Sequence, residues 1–434
     1  MSQWIHPDPR QALALLAGQF YHHPGRQLEV IALTGTNGKT TIAAMLEAIY
    51  HALGANVGVI GTTGVRYYST TDGVVNDPSP LTTPDPIALQ HRLRQMVTAG
   101  CQAAILEASS HALDQRRLFG LPLAAAVFSN LSRDHLDYHG TLENYFAAKA
   151  RLFTEMAPKV AIINQDDPYG GALLELCGTK TNVWSYGTTA ARLSSMPKTT
   201  FTAHDIQLSW EKTSFTLTSP LGAFLVELAI PGGFNVYNAL AAATTAFALG
   251  IPQTAIQLGL KQFRPVTGRM QKIQMGQDFT VVVDFAHTPD ALENLLSSAR
   301  KIQSSSKGRL LLVFGCGGDR DPGKRELMGQ IAGRFADFTV ITDDNPRSES
   351  PEAIRLAIVH GCQQVNGSCI QIGSRQEAIE TALSMAKPFD VVLIAGKGHE
   401  TVQITATGSL PFQDLAVVQE ALGQYMIKGN LIGK

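Results

Sequence analysis

Four residues of this 434-residue chain have the types and settings for phosphoryl chemistry: Lys39, Glu107, His135 and Lys149. Lys39 closes the run Gly35-Thr36-Asn37-Gly38-Lys39-Thr40-Thr41. Glycines in such a run let the backbone turn its N–H groups onto phosphate. A helix starting there adds positive potential, the lysine reaches the terminal phosphates, and the Thr40 hydroxyl suits Mg²⁺. The spacing departs from the common Gly-x-x-x-x-Gly-Lys-Ser/Thr loop, because position 33 is Leu and Gly35 is the first glycine. A glycine-rich turn capping a helix is the plain alternative, and the strand–loop–helix context argues against it. Glu107 and His135 are hard or borderline donors suited to Mg²⁺ beside a nucleotide. Singly, each has an ordinary reading: a solvated strand-end carboxylate, a hydrogen-bonding histidine, a surface lysine. Together with the phosphate loop, and in this order, they read as a site.

The elements that must hold these groups alternate. Leu28–Leu33 reads as a buried strand, followed by a helix from about Thr40 to Leu53. Ala103–Leu106, Ala124–Phe128 and Val160–Ile163 read as further buried strands. Continuous apolar runs separated by helices predict a mostly parallel sheet covered on both faces. Glu107 then stands at a strand's C-terminal end, and so does the run from Asn130 to Gly140 that contains His135. Ligands in open α/β sheets sit at those ends. Lys149 lies on a helix with Tyr145 and Phe153 at i−4 and i+4. From Thr199 to Ile230 the alternation of polar and apolar residues predicts a small antiparallel sheet. A helix follows at about Asn235–Leu249. Phe279–Asp284, Arg309–Phe314, Phe338–Thr342 and Val391–Ala395 restart the βα alternation, a second, Rossmann-like α/β unit beginning after Pro265. Ser304–Ser306 reads as a short surface loop.

Composition excludes several classes. Hydrophobic residues make up 44% and charged residues 16%, with a net charge of −1, so a polyanionic partner such as nucleic acid is not expected. The five cysteines, Cys101, Cys177, Cys316, Cys362 and Cys369, are odd in number and form no C-x-x-C pair. That argues against a disulfide framework or a zinc site and fits a reducing cytoplasm. The N-terminus lacks a signal-peptide pattern, and no apolar run is long enough to span a membrane.

Ten motifs carry a resemblance: TGTNGKTT, EASSHAL with Arg117 four residues beyond, NLSRDHLDYHG, YFAAK, FNVYNAL, GRM, VDFAHTPDAL, FGCGGDRDPGKR, DNPR and GKGHE. In this order the chain resembles the Mur ligases, from about residue 8 to the C-terminus, and within them the tripeptide-forming branch. The resemblance implies an N-terminal linker remnant at 1–27, a central ATPase domain at 28–265 and a C-terminal amino-acid-binding domain at 266–434. It implies ATP and two Mg²⁺ ions, with Thr40, Glu107 and His135 as metal ligands. Lys149 would carry CO₂ as a carbamate, turning a cation that repels metals into an anionic ligand. Asn235 and Asn238 match positions near adenine, and Arg269 and Asp284 match contacts to phosphate and ribose. Thr82, Thr83, Ser109, Gln115 and Arg117 match the muramoyl-dipeptide site. Arg320, Asp344, Asn345, Arg347, Gly396 and Glu400 match the amino-acid site, where DNPR marks addition of meso-diaminopimelate. A planar guanidinium at Arg347 suits a second carboxylate. A bare proline turn is the alternative for DNPR.

The implied reaction activates a carboxylate as an acyl phosphate and joins it to an amine. Domain closure should exclude water from the acyl phosphate, which predicts a hinge near residues 264–268. Two departures stand out. Phe285 replaces the family's usual Tyr. The phosphate loop begins near residue 34, so the family's uridine-binding N-terminal domain is expected to be absent, with Pro9–Ala17 similar to the segment just after it. The acceptor is then either UDP-N-acetylmuramoyl-L-alanyl-D-glutamate held with less remote binding energy, or a small non-nucleotide carboxylate. A monomer without nucleic-acid or membrane partners is expected. The competing readings are a folylpolyglutamate synthase, against which DNPR and NLSRDHLDYHG argue; a catalytically inactive scaffold, against which the four intact residues argue; and a P-loop switch or motor, which would need no amine.

Overall fold

The computed structural model describes residues 5–69, 71–178, 181–188, 200–220, 222–303 and 308–432, with side chains to residue 424. The expected loop at Ser304–Ser306 lies outside them. Strand Glu29–Thr34 is apolar from its second residue onward and buried on both faces. It pairs in parallel with Ala103–Glu107 on one side and Ala125–Phe128 on the other. The chain's crossovers run outward in opposite directions from this strand, which makes its C-terminal end the crevice of the sheet. The phosphate loop sits there. Val160–Asn164 and Asn182–Gly187 extend the parallel array on one side, and Val57–Gly61 extends it on the other.

The antiparallel run expected at 199–230 forms strands Thr200–Leu208, Thr213–Ser219 and Gly222–Leu228. These strands join the large sheet edge to edge, through the parallel pairing of Ser185 with Thr200, so eleven described strands share one sheet. Hairpin strands Gly64–Ser69 and Gly73–Asp77 cover the other edge. Helices Lys39–Ala52, Phe234–Ala248 and Gln253–Gln262 pack on one face. Helices Pro86–Thr98 and Leu142–Thr154 pack on the other. The stretch 1–27 contains a helix, Pro9–Phe20, capped by Asp8 and packed on Pro86–Thr98.

A second sheet carries the C-terminal chemistry. Thr280–Asp284, Val391–Ala395, Leu310–Phe314, Phe338–Ile341 and Cys369–Gln371 are parallel in that spatial order, with Gln271–Ile273 antiparallel at one edge. The mixed α/β architecture expected from the alternation of apolar runs is therefore present. The segment 264–268 links the two halves and ends at Gly268, whose φ is +68°. A Cβ there would lie 2.1 Å from the Gly398 carbonyl carbon, so the backbones touch where the link meets the second unit. Among the described residues, no helix is long and apolar enough to cross a membrane.

Candidate active site

The phosphate loop is held open by its neighbours. Gly35 has φ +146°, and a Cβ there would meet the Ser129 hydroxyl oxygen at 1.9 Å. Ser129 Oγ donates to the Asn37 carbonyl at 2.6 Å, and Asn130 Oδ1 accepts from the Asn37 N–H at 2.9 Å. Gly38, φ +93°, precedes helix Lys39–Ala52, with Thr40 and Thr41 in its first turn. This backbone is fixed before any ligand arrives, which is the condition for using its N–H groups on phosphate.

Two lysines converge on one carbonyl. Lys39 Nζ donates to Gly35 O at 2.8 Å and Thr36 O at 3.0 Å; Lys149 Nζ donates to the same Gly35 O at 2.9 Å. Lys149 is buried, with its Nζ 4.4 Å from the Tyr145 ring centroid. Tyr145, Lys149 and Phe153 share the buried face of helix Leu142–Thr154, so the i, i+4, i+8 pattern points inward. Burial and then the charge of Lys39 push the Lys149 pKa well below the usual lysine range, against the pull of Asp134. The reactive form of this amine is therefore the neutral one.

Glu107 is buried at the strand end, accepting from Thr40 Oγ1 at 3.1 Å, from Thr62 N–H at 3.1 Å and from Thr62 Oγ1 at 2.9 Å. His135 adopts φ +54° and packs edge-on to His111 at 4.9 Å. Burial depresses its pKa, which the adjacent Asp134 opposes, so a neutral ring with a free lone pair is favoured. Among the described residues, no three His, Cys, Asp or Glu groups form a ready metal cluster. The donors fit Mg²⁺ in another way. Thr40 and Glu107 stand in contact, burial favours the neutral His135 ring, and the remaining positions would come from phosphate and water.

A cavity of about 680 Å³ opens beside the loop, lined by both halves of the chain. Asn37, Asn235 and Asn238 come from the central part; Arg269, Asp284 and Phe285 come from beyond the link. Asn235 Nδ2 donates to Pro231 O at 2.7 Å, and Asn238 Nδ2 donates to Asn235 Oδ1 at 2.9 Å. Arg269 lies 4.3 Å over the Phe285 ring, and its buried Nε has no hydrogen-bond partner. Such an orphaned donor suits an anionic oxygen. Asp284 accepts from the N–H groups of Met270 at 2.7 Å and Ala286 at 2.8 Å. The face of Phe285 thus supports the guanidinium, a role that needs no hydroxyl.

A contiguous strip forms the next wall. Thr83 Oγ1 donates to the Glu107 carbonyl at 2.7 Å and accepts from the Ser109 N–H at 3.0 Å. Arg117 donates to Thr83 O at 2.6 Å and to Gln115 Oε1 at 2.7 Å. Thr82 Oγ1 lies 3.3 Å from Thr62 Oγ1. Of the five residues assigned from the resemblance to an acceptor site, Thr83 bonds Glu107 directly, Thr82 is linked to it through Thr62, and Ser109, Arg117 and Gln115 are linked to it through Thr83.

The third group gathers at the C-terminal ends of the second sheet. Asn345 Nδ2 donates to Glu400 Oε2 at 2.8 Å. Arg347, φ +52°, donates to Gly318 O at 2.7 Å and lies within the fields of Arg320, Asp344 and Glu400. Gly396 has φ +115°, and a Cβ there would meet Asp344 Oδ2 at 2.8 Å. Arg320 is exposed at the rim.

The sequence motifs contained three further residues, Arg133, Asp321 and Asp290, to which no role was assigned from the sequence. Arg133 grips Asp321 with two bonds of 2.7 and 3.0 Å, and Asn37 Nδ2 donates to Asp290 Oδ2 at 2.9 Å. Both contacts join the two halves. Their signal was present in NLSRDHLDYHG, GGDRDPGKR and HTPDAL, but a pairing 188 or 253 residues apart has no local signature.

With this geometry established, the comparisons with known proteins decide the family. The Mur ligase middle domain matches residues 33–246, and the Mur ligase glutamate ligase domain matches residues 268–398. The chain belongs to the Mur ligase family. This ligase is 41% identical over 422 residues to the UDP-N-acetylmuramoyl-L-alanyl-D-glutamate–2,6-diaminopimelate ligase of Geobacillus kaustophilus, covering 96% of this chain and 83% of that one. It is 43% identical over 425 residues to the enzyme of the same name from Brucella melitensis, covering 96% and 81%. A solved structure of a ligase of that name superposes with a TM-score of 0.66 at 37% identity, covering 98% of this chain and 84% of the other. Mycobacterium tuberculosis folylpolyglutamate synthase superposes at 0.67 with 18% identity, covering 89% and 92%, a likeness of fold alone. As a Mur ligase the chain is an ATP-dependent, amide-forming enzyme that uses ATP and Mg²⁺.

Proposed function

We propose that this Mur ligase adds meso-diaminopimelate to the free carboxylate of UDP-N-acetylmuramoyl-L-alanyl-D-glutamate. The observation that carries the choice of amino acid is the placement of Arg347 within the field of Glu400 without an ion pair between them, a cation and an anion for a side chain that carries both charges. The names of the relatives point the same way, and they favour a nucleotide-linked acceptor over a free small carboxylate. In this reading ATP lies in the cavity between Asn235, Asn238, Arg269 and Asp284, its phosphates on the loop Gly35–Thr41. Lys39 Nζ would leave its contacts with Gly35 O and Thr36 O to reach the γ-phosphate. Thr82, Thr83, Ser109, Gln115 and Arg117 hold the acceptor against Glu107.

Two Mg²⁺ ions, held by Thr40, Glu107, His135 and a modified Lys149, would neutralise the phosphates and the acceptor carboxylate. The neutral Lys149 amine attacks CO₂ and releases one proton, leaving a carbamate anion where a bare ammonium would repel the metals. The acceptor carboxylate attacks the γ-phosphorus in line, ADP leaves, and the amine of the second substrate attacks the acyl phosphate with release of phosphate. Positioning supplies much of the rate, up to roughly 7–11 kcal/mol. The units at 28–265 and 266–434 close about the link 264–268, with 1–27 leading in, and the enzyme acts as a monomer. Phosphate release from Mg·ATP, measured with an amino-acid panel and with or without the acceptor, tests this directly. Release that requires both the acceptor and meso-diaminopimelate supports it; turnover with another amine or without the acceptor overturns it.

A further inference from the structure

The loop Gly396–Glu400 buries a lysine to which the reaction assigns no role. Lys397 has no exposed surface, and its Nζ donates to Glu400 Oε2 at 2.7 Å and Asn345 Oδ1 at 2.9 Å. Asn345 Oδ1 also accepts from the Ile404 N–H at 2.9 Å. Both donors fall on the same oxygen, so the Asn345 amide has one orientation, and its Nδ2 must face Glu400. Glu400 Oε2 then holds two donors, from Asn345 and Lys397. The Glu400 side chain is 31% exposed, so its carboxylate stands at the rim of the pocket with Oε2 tied inward.

Arg347 lies in the field of Glu400 and donates instead to the Gly318 carbonyl. A carboxylate free to swing toward a guanidinium whose field it shares can form a bidentate pair with it. Paired, they would offer a zwitterionic side chain nothing. The buried ammonium prevents that by holding the carboxylate from behind.

We infer that Lys397 is the positioning residue of the amino-acid pocket, keeping Glu400 and Arg347 apart so that each can take the opposite charge of the incoming substrate. This rests on the proposed function, because it needs an amino acid with a charged second centre. Removing a residue that orients a binding group costs about 10- to 100-fold in affinity at comparable sites. In Lys397→Met, the KM for meso-diaminopimelate should rise about 10- to 100-fold. The KM for ATP should not move, and kcat at saturating amino acid should hold. Preference for meso-diaminopimelate over L-lysine should narrow, since Arg347 becomes neutralised by Glu400. Glu400→Gln alone should also raise that KM, and the double variant should be no worse than the poorer single one. If Lys397→Met does not fold, Lys397→Gln, which keeps an amide donor, is read by the same criteria. Equal losses in kcat and in ATP affinity would indicate a purely structural lysine and overturn the inference, as would additive effects in the double variant. Wild-type enzyme that turns over with meso-diaminopimelate while the variant's KM is unchanged overturns this inference alone. Wild-type enzyme indifferent to that amino acid overturns the proposed function and this inference with it.

Discussion

Two of the buried lysines, Lys149 and Lys397, differ in the counter-charge beside them. Lys397 sits against a carboxylate, Glu400, at 2.7 Å. Lys149 has a backbone carbonyl at 2.9 Å, a tyrosine ring and a second lysine nearby, and among the described residues no carboxylate forms an ion pair with it. A buried ammonium is tolerated when a counter-charge and hydrogen bonds compensate its lost hydration. Without the counter-charge, the neutral amine is the cheaper form. In the proposed function the same side chain therefore serves as a hydrogen-bonded partner of Glu400 in one place and as the amine that takes up CO₂ in the other. Chemistry follows from the neighbour, not from the residue type.

The sharpest way to break this contrast is Lys149→Ala. Loss of an anionic ligand built from its carbamate should lower kcat about 10²- to 10³-fold. Added short carboxylates should restore part of the rate by occupying the vacated space. Unchanged phosphate release in the variant would remove Lys149 from the mechanism. The amino-acid pocket gives the next largest effect, the rise in KM in Lys397→Met. Because its origin is a lost position rather than a lost ligand, short carboxylates should not rescue it.

A pH profile sharpens the comparison with a smaller effect. Carbamate formation needs the neutral amine. As pH falls through the depressed pKa of Lys149, the amine protonates and CO₂ is lost, so activity should decline on the acid side. Added bicarbonate should shift that acid limb to lower pH. A limb that ignores bicarbonate would argue against the carbamate. The smallest effect is expected at the ion pair joining the two halves. The Arg133 side chain is 39% exposed, and such pairs contribute about 0.2–1 kcal/mol. Hydrogen bonding from Arg133 holds the Asp321 pKa below its usual value. Arg133→Gln should therefore raise KM for the substrates by only about two- to fivefold. Adding Asp321→Asn should cost little more. Additive losses would show that the two residues act separately.

The inner strands of both sheets were legible because they are continuous apolar runs: Val391–Ala395 of the second sheet was placed to the residue, and Glu29–Thr34 of the first within one. Strands Gly73–Asp77, Gln271–Ile273, Cys369–Gln371, Val402–Thr405 and Gly408–Pro411 were not legible, since short, partly exposed strands lack an apolar run, and Gly64–Ser69, though mostly buried, has Val65 as its one aliphatic residue. Motif order led to Lys39, Glu107, His135 and Lys149 as candidates, and the structure brings Thr40 onto Glu107 and both lysines onto Gly35 O. Their types and loop spacings carry the chemistry locally. What the linear chain left open was every relation between motifs. The convergence of Lys39 and Lys149 on Gly35 O, the grip of Arg133 on Asp321, and the placement of Lys397 behind Glu400 depend on packing between distant segments. Burial and charge neighbours set whether a lysine is a cation or a nucleophile, and only the folded chain brings those neighbours together.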